Sequence, residues 1–131
     1  MNNPAAARPA CECHDGARLF RRARRRELGV LKPLYRSAFN VWARSLGRDP
    51  GFSNYDWLVD CVDEGSVWVA TSGKDLLGAM TLTDTGDTWH IDEIAVSPLR
   101  QRRGIGSWML ARATQLAPEH GIKRLALCTA E

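Results

Sequence analysis

The sequence predicts a single mixed α/β domain, in which an antiparallel meander of strands leads into a strand–helix–strand unit. Three β-rich segments follow one another at residues 66–71, 76–83 and 88–96, and turn-forming residues separate them. An amphipathic helical pattern at 105–120 follows, and it leads to a last apolar segment at 124–129. The chain has 131 residues, of which 44% are hydrophobic, and this fits one soluble domain with its own core.

The first 16 residues carry no hydrophobic periodicity, and we expect an unstructured tail ahead of a domain at 17–131. The tail lacks the apolar region of a secretory signal, and no apolar run reaches membrane-spanning length. We therefore expect a cytoplasmic protein with no membrane partner. Cys11, Cys13 and His14 stand close together, but a tetrahedral zinc site needs a fourth ligand. Since none is evident, we expect no metal site.

The net charge of +3 is unevenly distributed along the chain. Residues 1–48 carry a net charge of +8, residues 49–95 carry −9 and residues 96–131 carry +4. The acidic middle segment would attract a cationic molecule such as an amine, and it would equally serve as a solvated acidic surface. Both interpretations stay open at this point.

The first predicted strand begins at Leu19 and Phe20, inside an arginine-rich segment at 18–26. Such a basic run is typical of nucleic-acid patches, and it also fits a strand whose exposed side is arginine. We favour the strand, because no aromatic interleaving and no known nucleic-acid module accompanies the arginines.

Two helices follow this strand. Residues 31–46 show an apolar stripe at helical spacing, with Pro33 in the first turn and Gly47 at the end. We assign the stripe to the core; it consists of Leu31, Leu34, Tyr35, Ala38, Val41 and Trp42. The second helix begins at Ser53, which has capping-box spacing to Asp56, and it ends at Gly65.

The strands and the last helix complete the fold. Gly78 lies inside the strand at 76–83, where a glycine indicates a bulge. The helix at 105–120 turns Ile105, Trp108, Met109 and Leu116 towards the sheet, and Gly121 ends it. Because a helix connects the strands at 88–96 and 124–129, we expect those two strands to be parallel.

A glycine turn at residues 101–107 stands where the last helix begins. A helix start offers unpaired backbone N–H groups and the positive end of the helix dipole. Gly104 and Gly106 leave room for an anion to reach those groups, and Arg100, Arg102 and Arg103 surround them. Met109 stands where a dinucleotide fingerprint needs glycine, and the Gly-Lys-Ser/Thr of a P-loop is absent. The turn therefore predicts a phosphate site of another kind.

The pattern of residues 91–110 resembles the acetyl-CoA motif of the GNAT N-acetyltransferases. It reads Ile-Asp-Glu-Ile-Ala-Val-x-Pro-x-Arg-Gln-x-x-Gly-x-Gly-x-x-x-Leu. The resemblance implies that the glycine turn binds the CoA pyrophosphate through backbone N–H groups, and that the preceding strand offers main-chain groups to the pantetheine arm. It implies an N-acetyltransferase fold and activity, with acetyl-CoA as co-substrate and a primary amine as acceptor. The implied acetyl-CoA contacts are Ile94, Ala95, Val96, Gln101, Arg102, Arg103, Gly104, Ile105, Gly106 and Ser107.

Three polar residues in the strand at 88–96 are candidates for the catalytic base. His90 and Asp92 share one face by strand alternation, and Glu93 lies on the other face. The resemblance places the proposed base of polyamine-type members at Asp92 and the carboxylate of histone-type members at His90, so Asp92 ranks first. A bulge in this strand would reverse the facing and favour Glu93. Each of the three residues would equally serve as a surface or structural polar group.

The resemblance covers residues 19–129 and then stops, because family members continue with a further helix that carries a tyrosine acid. We therefore expect a domain that ends after its fifth strand, with impaired catalysis. The leading hypothesis is an N-acetyltransferase for a small-molecule or peptide amine. The second is an acyl-CoA-binding or interaction module without turnover, and the third, least favoured, is a nucleic-acid-binding domain that uses residues 18–26. Family members often dimerise, so a homodimer stays open.

Overall fold

The computed structural model of the chain describes residues 12–45, 47, 55–97, 100 and 103–127, and gives backbone alone for residues 12–15, 41, 42, 44 and 45. Within these residues the elements follow in the order β1 (Glu12–Asp15), β2 (Arg18–Arg22), a 3-10 turn (Arg25–Glu27), α1 (Leu28–Ser45), α2 (Trp57–Asp63), β3 (Val67–Ser72), β4 (Asp75–Thr85), β5 (Thr88–Val96), α3 (Ile105–Leu116), a second 3-10 turn (Ala117–His120) and β6 (Arg124–Leu127).

The described strands form one mixed sheet in the order β1-β2-β3-β4-β5-β6. The pairs from β1 to β5 are antiparallel, whereas β5 and β6 run parallel from Thr88↔Arg124 to Ile91↔Leu127. The predicted meander and the predicted parallel strand–helix–strand unit are therefore confirmed. Among the described residues, no helix combines the length and the apolar character needed to cross a bilayer.

The sheet carries a hydrophobic core on each of its two faces. On one face α3 packs against side chains such as Trp68 and Met80 through the predicted Ile105, Met109 and Leu116 and through Ala113, which was not predicted. The predicted Trp108 is only partly buried there. On the other face α1 and α2 cover Val67, Val69, Ala79 and Ala95. The predicted stripe of α1 is buried at Leu31, Leu34 and Tyr35. The side chains of Val41 and Trp42 lie outside the described part.

The chain enters the sheet earlier than the sequence predicted. Residues 12–15, assigned above to an unstructured tail, form β1 and pair with β2 from Glu12↔Arg21 to Asp15↔Arg18. Gly16 makes this hairpin possible with a φ of 61°, a backbone region that favours glycine. The strand therefore depends on turn chemistry and on its partner strand, since it has no hydrophobic period of its own.

Both helices on the α1 face differ from their predicted starts. The 3-10 turn begins the helical path before Leu31, so α1 starts at Leu28 and Pro33 lies inside it. Pro33 is exposed, so water can satisfy the carbonyl that a proline cannot bond. The α2 helix starts at Trp57 and its N-cap Asp56 makes no side-chain cap bond; Asp56 instead contacts Lys32, Oδ1 to Nζ at 3.3 Å. Ser53, the predicted cap, lies outside the described residues.

Candidate active site

The glycine turn leads into α3 with a backbone suited to an anion. Gly104 is the N-cap residue of α3, has a φ of 75° in the left-handed region, and its carbonyl accepts the Trp108 N–H at 2.9 Å. A Cβ at Gly104 or Gly106 would meet nothing within 4 Å, so both glycines face open space. The first turn contains no acidic residue. The N–H groups of Ile105, Gly106 and Ser107 are thus positioned to donate hydrogen bonds to a phosphate oxygen.

The arginines beside the turn differ in what they contact. Arg103 is exposed, whereas Arg100 approaches Asp75 at the start of β4, Nη2 to Oδ2 at 3.6 Å. Gln101 and Arg102, two of the predicted acetyl-CoA contacts, lie outside the described residues. Ile105 is buried and anchors the first turn of α3 to the sheet. Its side chain therefore contributes packing.

Gly78 of β4 brings α3 close to the sheet. A Cβ at this position would lie 2.9 Å from the Ala95 carbonyl oxygen, 3.0 Å from Met109 Cε and 3.4 Å from Ile105 Cγ2. The register of β3 against β4 also shifts next to this glycine, so the predicted bulge is confirmed. The absence of a side chain at Gly78 allows the start of α3, and with it the glycine turn, to pack directly over the sheet.

The segment from Ile94 to Val96 connects the turn to the polar residues of β5. These residues pair with Met80, Ala79 and Gly78 of β4. The register with β6 covers only Thr88 to Ile91 within the described chain. On the edge of β5 that faces β6, the backbone groups of residues 94–96 therefore lie beyond the last described β5–β6 pair. Main-chain contacts to a bound molecule require such a position.

A bulge in β5 brings all three candidate bases to one face of the sheet. Thr81 pairs with Glu93 and Leu82 pairs with Ile91, so Asp92 is an extra residue without its own partner. Such an insertion changes which side chains point to which face. The facing expected from strict alternation, with Glu93 opposite to Asp92, is therefore wrong, and the alternative of a bulge in this strand is confirmed. We call His90, Asp92 and Glu93 together the polar face of β5; it lies on the α1 side of the sheet.

The hydrogen bonds of these residues establish the shared face. His90 Nε2 lies 2.8 Å from Thr85 Oγ1, and the Thr83 hydroxyl donates to Asp92. Glu93 accepts a hydrogen bond from Thr81, whose Oγ1 lies 2.8 Å from the hydroxyl oxygen of Tyr35 in α1. Thr81, Thr83 and Thr85 alternate along β4 and point to the same side. The shared placement of His90 and Asp92 is confirmed.

The three groups differ in their surroundings. Glu93 is half-buried, and burial raises the pKa of its carboxyl, as does the negative charge of Asp92, while the hydrogen bond from Thr81 acts in the opposite direction. His90 and Asp92 bond threonines that are exposed. A raised pKa brings a carboxyl closer to the range in which it can both accept and release a proton near neutral pH.

Further carboxylates surround this face from α2. Burial raises the pKa of the Cys61 thiol, and the charges of Glu64, Glu93, Asp60 and Asp92 act in the same direction. Asp60 on α2 and Glu64 at its C-cap are exposed. Four carboxylates thus lie around one half-buried thiol, and their negative potential would favour a cation.

Tyr35 and Thr81 also belong to this site, and the sequence predicted neither of them as a site residue. Tyr35 was assigned to the apolar stripe of α1, and its ring is indeed fully buried against Phe39 and Trp57. Its hydroxyl, however, reaches the polar face. One signal was available: a tyrosine in an apolar stripe brings a hydroxyl that needs a buried partner.

The arginine-rich segment does not form one continuous basic surface. Arg22 stacks over the Trp68 ring with its guanidinium 4.8 Å from the centroid, and Arg18 lies over Trp108 at 5.6 Å. Arg21 points to the other side of the sheet, where it makes two bonds of 2.8 Å to Glu27. These contacts explain the arginines of β2 as parts of the fold. The predicted strand is confirmed, but its arginines lie on both faces of the sheet, and the Arg21 side chain is only 13% exposed.

A described cleft lies away from the polar face. It encloses about 560 Å3 on the α1 side, near the β3–β4 turn and the end of β5. Its lining includes the Arg21–Glu27 ion pair, Val30, Lys74, Ser97 and Arg100. No residue of the polar face contributes to this lining among the described residues.

Comparisons with known proteins place the chain among acetyltransferases. The profile of a family described as Acetyltransferase (GNAT) family matches residues 28–131. No curated protein sequence matches the chain. The fold is similar to that of an aminoglycoside acetyltransferase from an uncultured soil metagenomic sample, solved in complex with trehalose: TM-score 0.63 and 18% identity, covering 89% of this chain and 80% of the other.

Two further solved structures share the fold and contain a CoA ligand. The PaiA N-acetyltransferase from Thermoplasma acidophilum, in complex with coenzyme A, has a TM-score of 0.67 at 15% identity and covers 84% of this chain and 77% of its own. A GNAT family acetyltransferase from Brucella melitensis, in complex with acetyl-CoA, has a TM-score of 0.65 at 18% identity over 87% and 77%. At such identities the similarity concerns the fold.

Proposed function

Because the chain belongs to the GNAT acetyltransferase family, we propose that it transfers an acetyl group from acetyl-CoA to a primary amine, with Glu93 as the general base. The observation that carries this proposal is the bulge in β5. It brings Glu93, half-buried and hydrogen-bonded, to the face where an acceptor can approach. The glycine turn follows the same strand.

The glycine turn and β5 bind different parts of acetyl-CoA in this proposal. The first-turn N–H groups of α3, with Arg103, hold the pyrophosphate of acetyl-CoA. Backbone groups of Ile94 to Val96 hold the pantetheine arm, and an N–H among them donates to the thioester oxygen as negative charge develops there. Acetyl-CoA supplies the activated acetyl group. Glu93 stands three residues before Val96, where β5 ends. Given the rise per residue of a strand, this is a distance of about 10 Å.

Glu93 takes the proton that the amine must lose. The amine nitrogen forms a bond to the acetyl carbon, the carbon–sulfur bond breaks, and CoA leaves with the electron pair on sulfur. The proton on the new amide nitrogen passes to the Glu93 carboxylate and ends on the CoA thiolate or in water. A carboxyl with a raised pKa suits this transfer, because its basicity lies closer to neutral pH.

The carboxylates around Cys61 favour a cationic acceptor. Asp60, Glu64 and Asp92 would steer an amine that carries further positive charges and would orient it near Glu93. One neighbour named above is an aminoglycoside acetyltransferase, but the acceptor of this chain is proposed only as a class. A neutral monoamine would gain less from these charges.

The test measures release of CoA thiol by the purified chain with acetyl-CoA and a panel of amines: a polyamine, an aminoglycoside, an amino acid and a peptide with a free N-terminus. We expect turnover with a polycationic amine. Glu93→Gln should lower kcat/KM by about 10²–10⁴-fold, the usual loss for a general base. Asp92→Asn, the matched control on the same bulge, should lose less.

Two results would contradict this proposal. If Asp92→Asn abolishes turnover while Glu93→Gln retains it, the base is Asp92, as the sequence ranking had it. If acetyl-CoA binds but no amine is acetylated, the chain is a binding module without turnover.

A further inference from the structure

A chain of hydroxyl groups connects the core of α1 to Glu93. Tyr35 is fully buried, and its hydroxyl oxygen lies 2.8 Å from Thr81 Oγ1. Thr81 has only 3% of its surface exposed and pairs directly with Glu93 across β4 and β5. Its hydroxyl also bonds the Glu93 carboxylate. Buried hydroxyls need hydrogen-bond partners. The Thr81 hydroxyl has two, Tyr35 and Glu93, and the Tyr35 hydroxyl has one, Thr81.

The direction of the chain follows from the chemistry of its members. An ionised carboxylate can only accept, so the Thr81 hydroxyl donates to Glu93. The Thr81 oxygen then accepts from the Tyr35 hydroxyl. Burial raises the pKa of Tyr35 far above its ordinary value, and the charge of Glu93 raises it further, so Tyr35 keeps its proton. The order Tyr35 to Thr81 to Glu93 is therefore fixed while Glu93 is ionised.

We propose that Tyr35 and Thr81 are positioning residues, which hold the Glu93 carboxylate ionised and aimed at the acceptor amine. This inference rests on the proposed function of Glu93. The burial that brings Glu93 close to α1 also favours its protonated form, in which it cannot take a proton from the amine. The two hydroxyls oppose that effect, and a donor that itself accepts a hydrogen bond is a stronger donor.

Other titratable groups face Glu93 and are kept constant in the test. Tyr35 faces it from α1, Cys61 faces it from α2, and Asp92 neighbours it on β5. The charges of Asp60 and Glu64 raise the pKa of the Cys61 thiol, which lies next to this region. Because the variants below remove only uncharged hydroxyls, they leave all of these charges unchanged.

The test is a titration of the full chain with 13C-labelled glutamate, in which the side-chain carboxyl signal of Glu93 is assigned by its loss in Glu93→Gln. Thr81→Val should move the titration midpoint of Glu93 up by about one pH unit, because a hydrogen bond to the charged form is lost. Tyr35→Phe should move it up by about half as much, since Thr81 remains. Thr81→Ser keeps the hydroxyl and should restore the original midpoint.

Thr88→Val is the matched control. Thr88 also lies in the sheet and donates to a carboxylate, Asp87 at 3.2 Å, but at the far end of β5. This variant should leave the Glu93 midpoint unchanged. In turnover, Thr81→Val should move the acid limb of kcat upward in pH with the KM for acetyl-CoA unchanged, which a loss of folded protein would not do.

The inference is overturned if Thr81→Val and Tyr35→Phe are folded and leave the Glu93 midpoint where it was. It is also overturned if Thr88→Val moves that midpoint as much as Thr81→Val does. The titration is read without any acceptor, so it judges the hydroxyl chain even if the amine panel shows no turnover and the proposed function fails.

Discussion

The start of α3 and the polar face of β5 lie on one continuous stretch of chain, yet they are built in different ways. The glycine turn takes its shape from adjacent residues: Gly104 at a positive φ and Gly106 in open space, just before a helix. The surroundings of Glu93 on the polar face need three elements, because Tyr35 comes from α1, Thr81 from β4 and Glu93 itself from β5. A local site and a nonlocal site thus meet in one proposed reaction.

This difference has a consequence for how each region tolerates change. A ligand site made of backbone N–H groups depends on the absence of side chains, so added bulk or charge disrupts it without unfolding the chain. A site made of buried hydroxyls depends on partners from distant segments, so a change in one member alters the protonation of another. Substitutions in the two regions should therefore separate binding from proton transfer.

The largest effect should come from a charge in the glycine turn. Gly106→Glu places a carboxylate beside the N–H groups, where it competes with and repels the pyrophosphate. We expect acetyl-CoA affinity to fall by about tenfold to a hundredfold, or about 1.4–2.8 kcal/mol. The thermal midpoint of the unliganded protein should hold, because an acidic residue suits a helix start. Calorimetric titration with acetyl-CoA measures the loss.

Gly29→Glu is the control for this substitution. Gly29 also lies in the first turn of a helix, α1, and a Cβ there meets nothing within 4 Å. The Gly29→Glu variant should bind acetyl-CoA with the same affinity as the unmodified chain. An equal loss in both variants would mean that net charge, and not the glycine turn, governs binding.

An intermediate effect should come from Gly78, on which the packing of α3 depends. Gly78→Ala forces a methyl group within 3.0 Å of the Ala95 carbonyl and Met109, so it should cost about 1–3 kcal/mol of unfolding free energy. Gly29→Ala, in open helical space, should instead stabilise the chain by about 0.5–1 kcal/mol. Urea unfolding measures both changes. A Gly78→Ala protein as stable as the parent would show that α3 does not pack as described.

The smallest effect should come from the pH dependence of stability, which has opposite signs at two glutamates. The pKa of Glu93 is raised above its ordinary 4.5, so its favourable contribution is full below pH 4.5 and is lost as pH rises through the folded value. Glu93→Gln should therefore stabilise the chain at pH 7.5, by less than about 1 kcal/mol because Glu93 is partly exposed. The gain should vanish near pH 4.

Glu27 provides the contrast. The bidentate bond from Arg21 lowers the pKa of Glu27 below 4.5, and burial only partly opposes this. Its contribution is full above pH 4.5 and is lost as pH falls through the folded value. Glu27→Gln should therefore destabilise the chain at pH 7.5 and lose this effect in acid. Unfolding midpoints measured between pH 3.5 and 8 check the direction of both stability changes. If Glu93→Gln and Glu27→Gln shift stability in the same direction at pH 7.5, the environments assigned to the two glutamates are contradicted.

The local site could be predicted from the sequence because its information is contiguous. The glycines, the preceding strand and the helix pattern stand within residues 88–120, and the structure places them as expected. The parallel pairing of β6 also followed from local pattern, since a helix must connect it to β5. The first hairpin was missed although Gly16, a residue that favours turns, stands at the first position of its two-residue loop.

The polar face could be predicted only in part, because its geometry depends on register. Alternation placed His90 and Asp92 correctly, but the extra residue in β5 changed the facing of Glu93. A bulge arises from how β5 fits the apolar residues of β4: Leu82 with Ile91 and Met80 with Ile94 keep their common side. No single strand contains that information, and the Tyr35–Thr81 contact joins residues 46 positions apart.

The most direct test of this separation is the thermal shift that saturating acetyl-CoA gives to Glu93→Gln, measured beside its turnover. At a hundredfold excess over the dissociation constant, the ligand should add about 2.7 kcal/mol of stability to both the variant and the parent chain. We predict an undiminished shift with turnover reduced by the factor expected for a lost base. An abolished shift, or a variant that turns over at the parent rate, would contradict the division between a binding turn and a proton-transfer face.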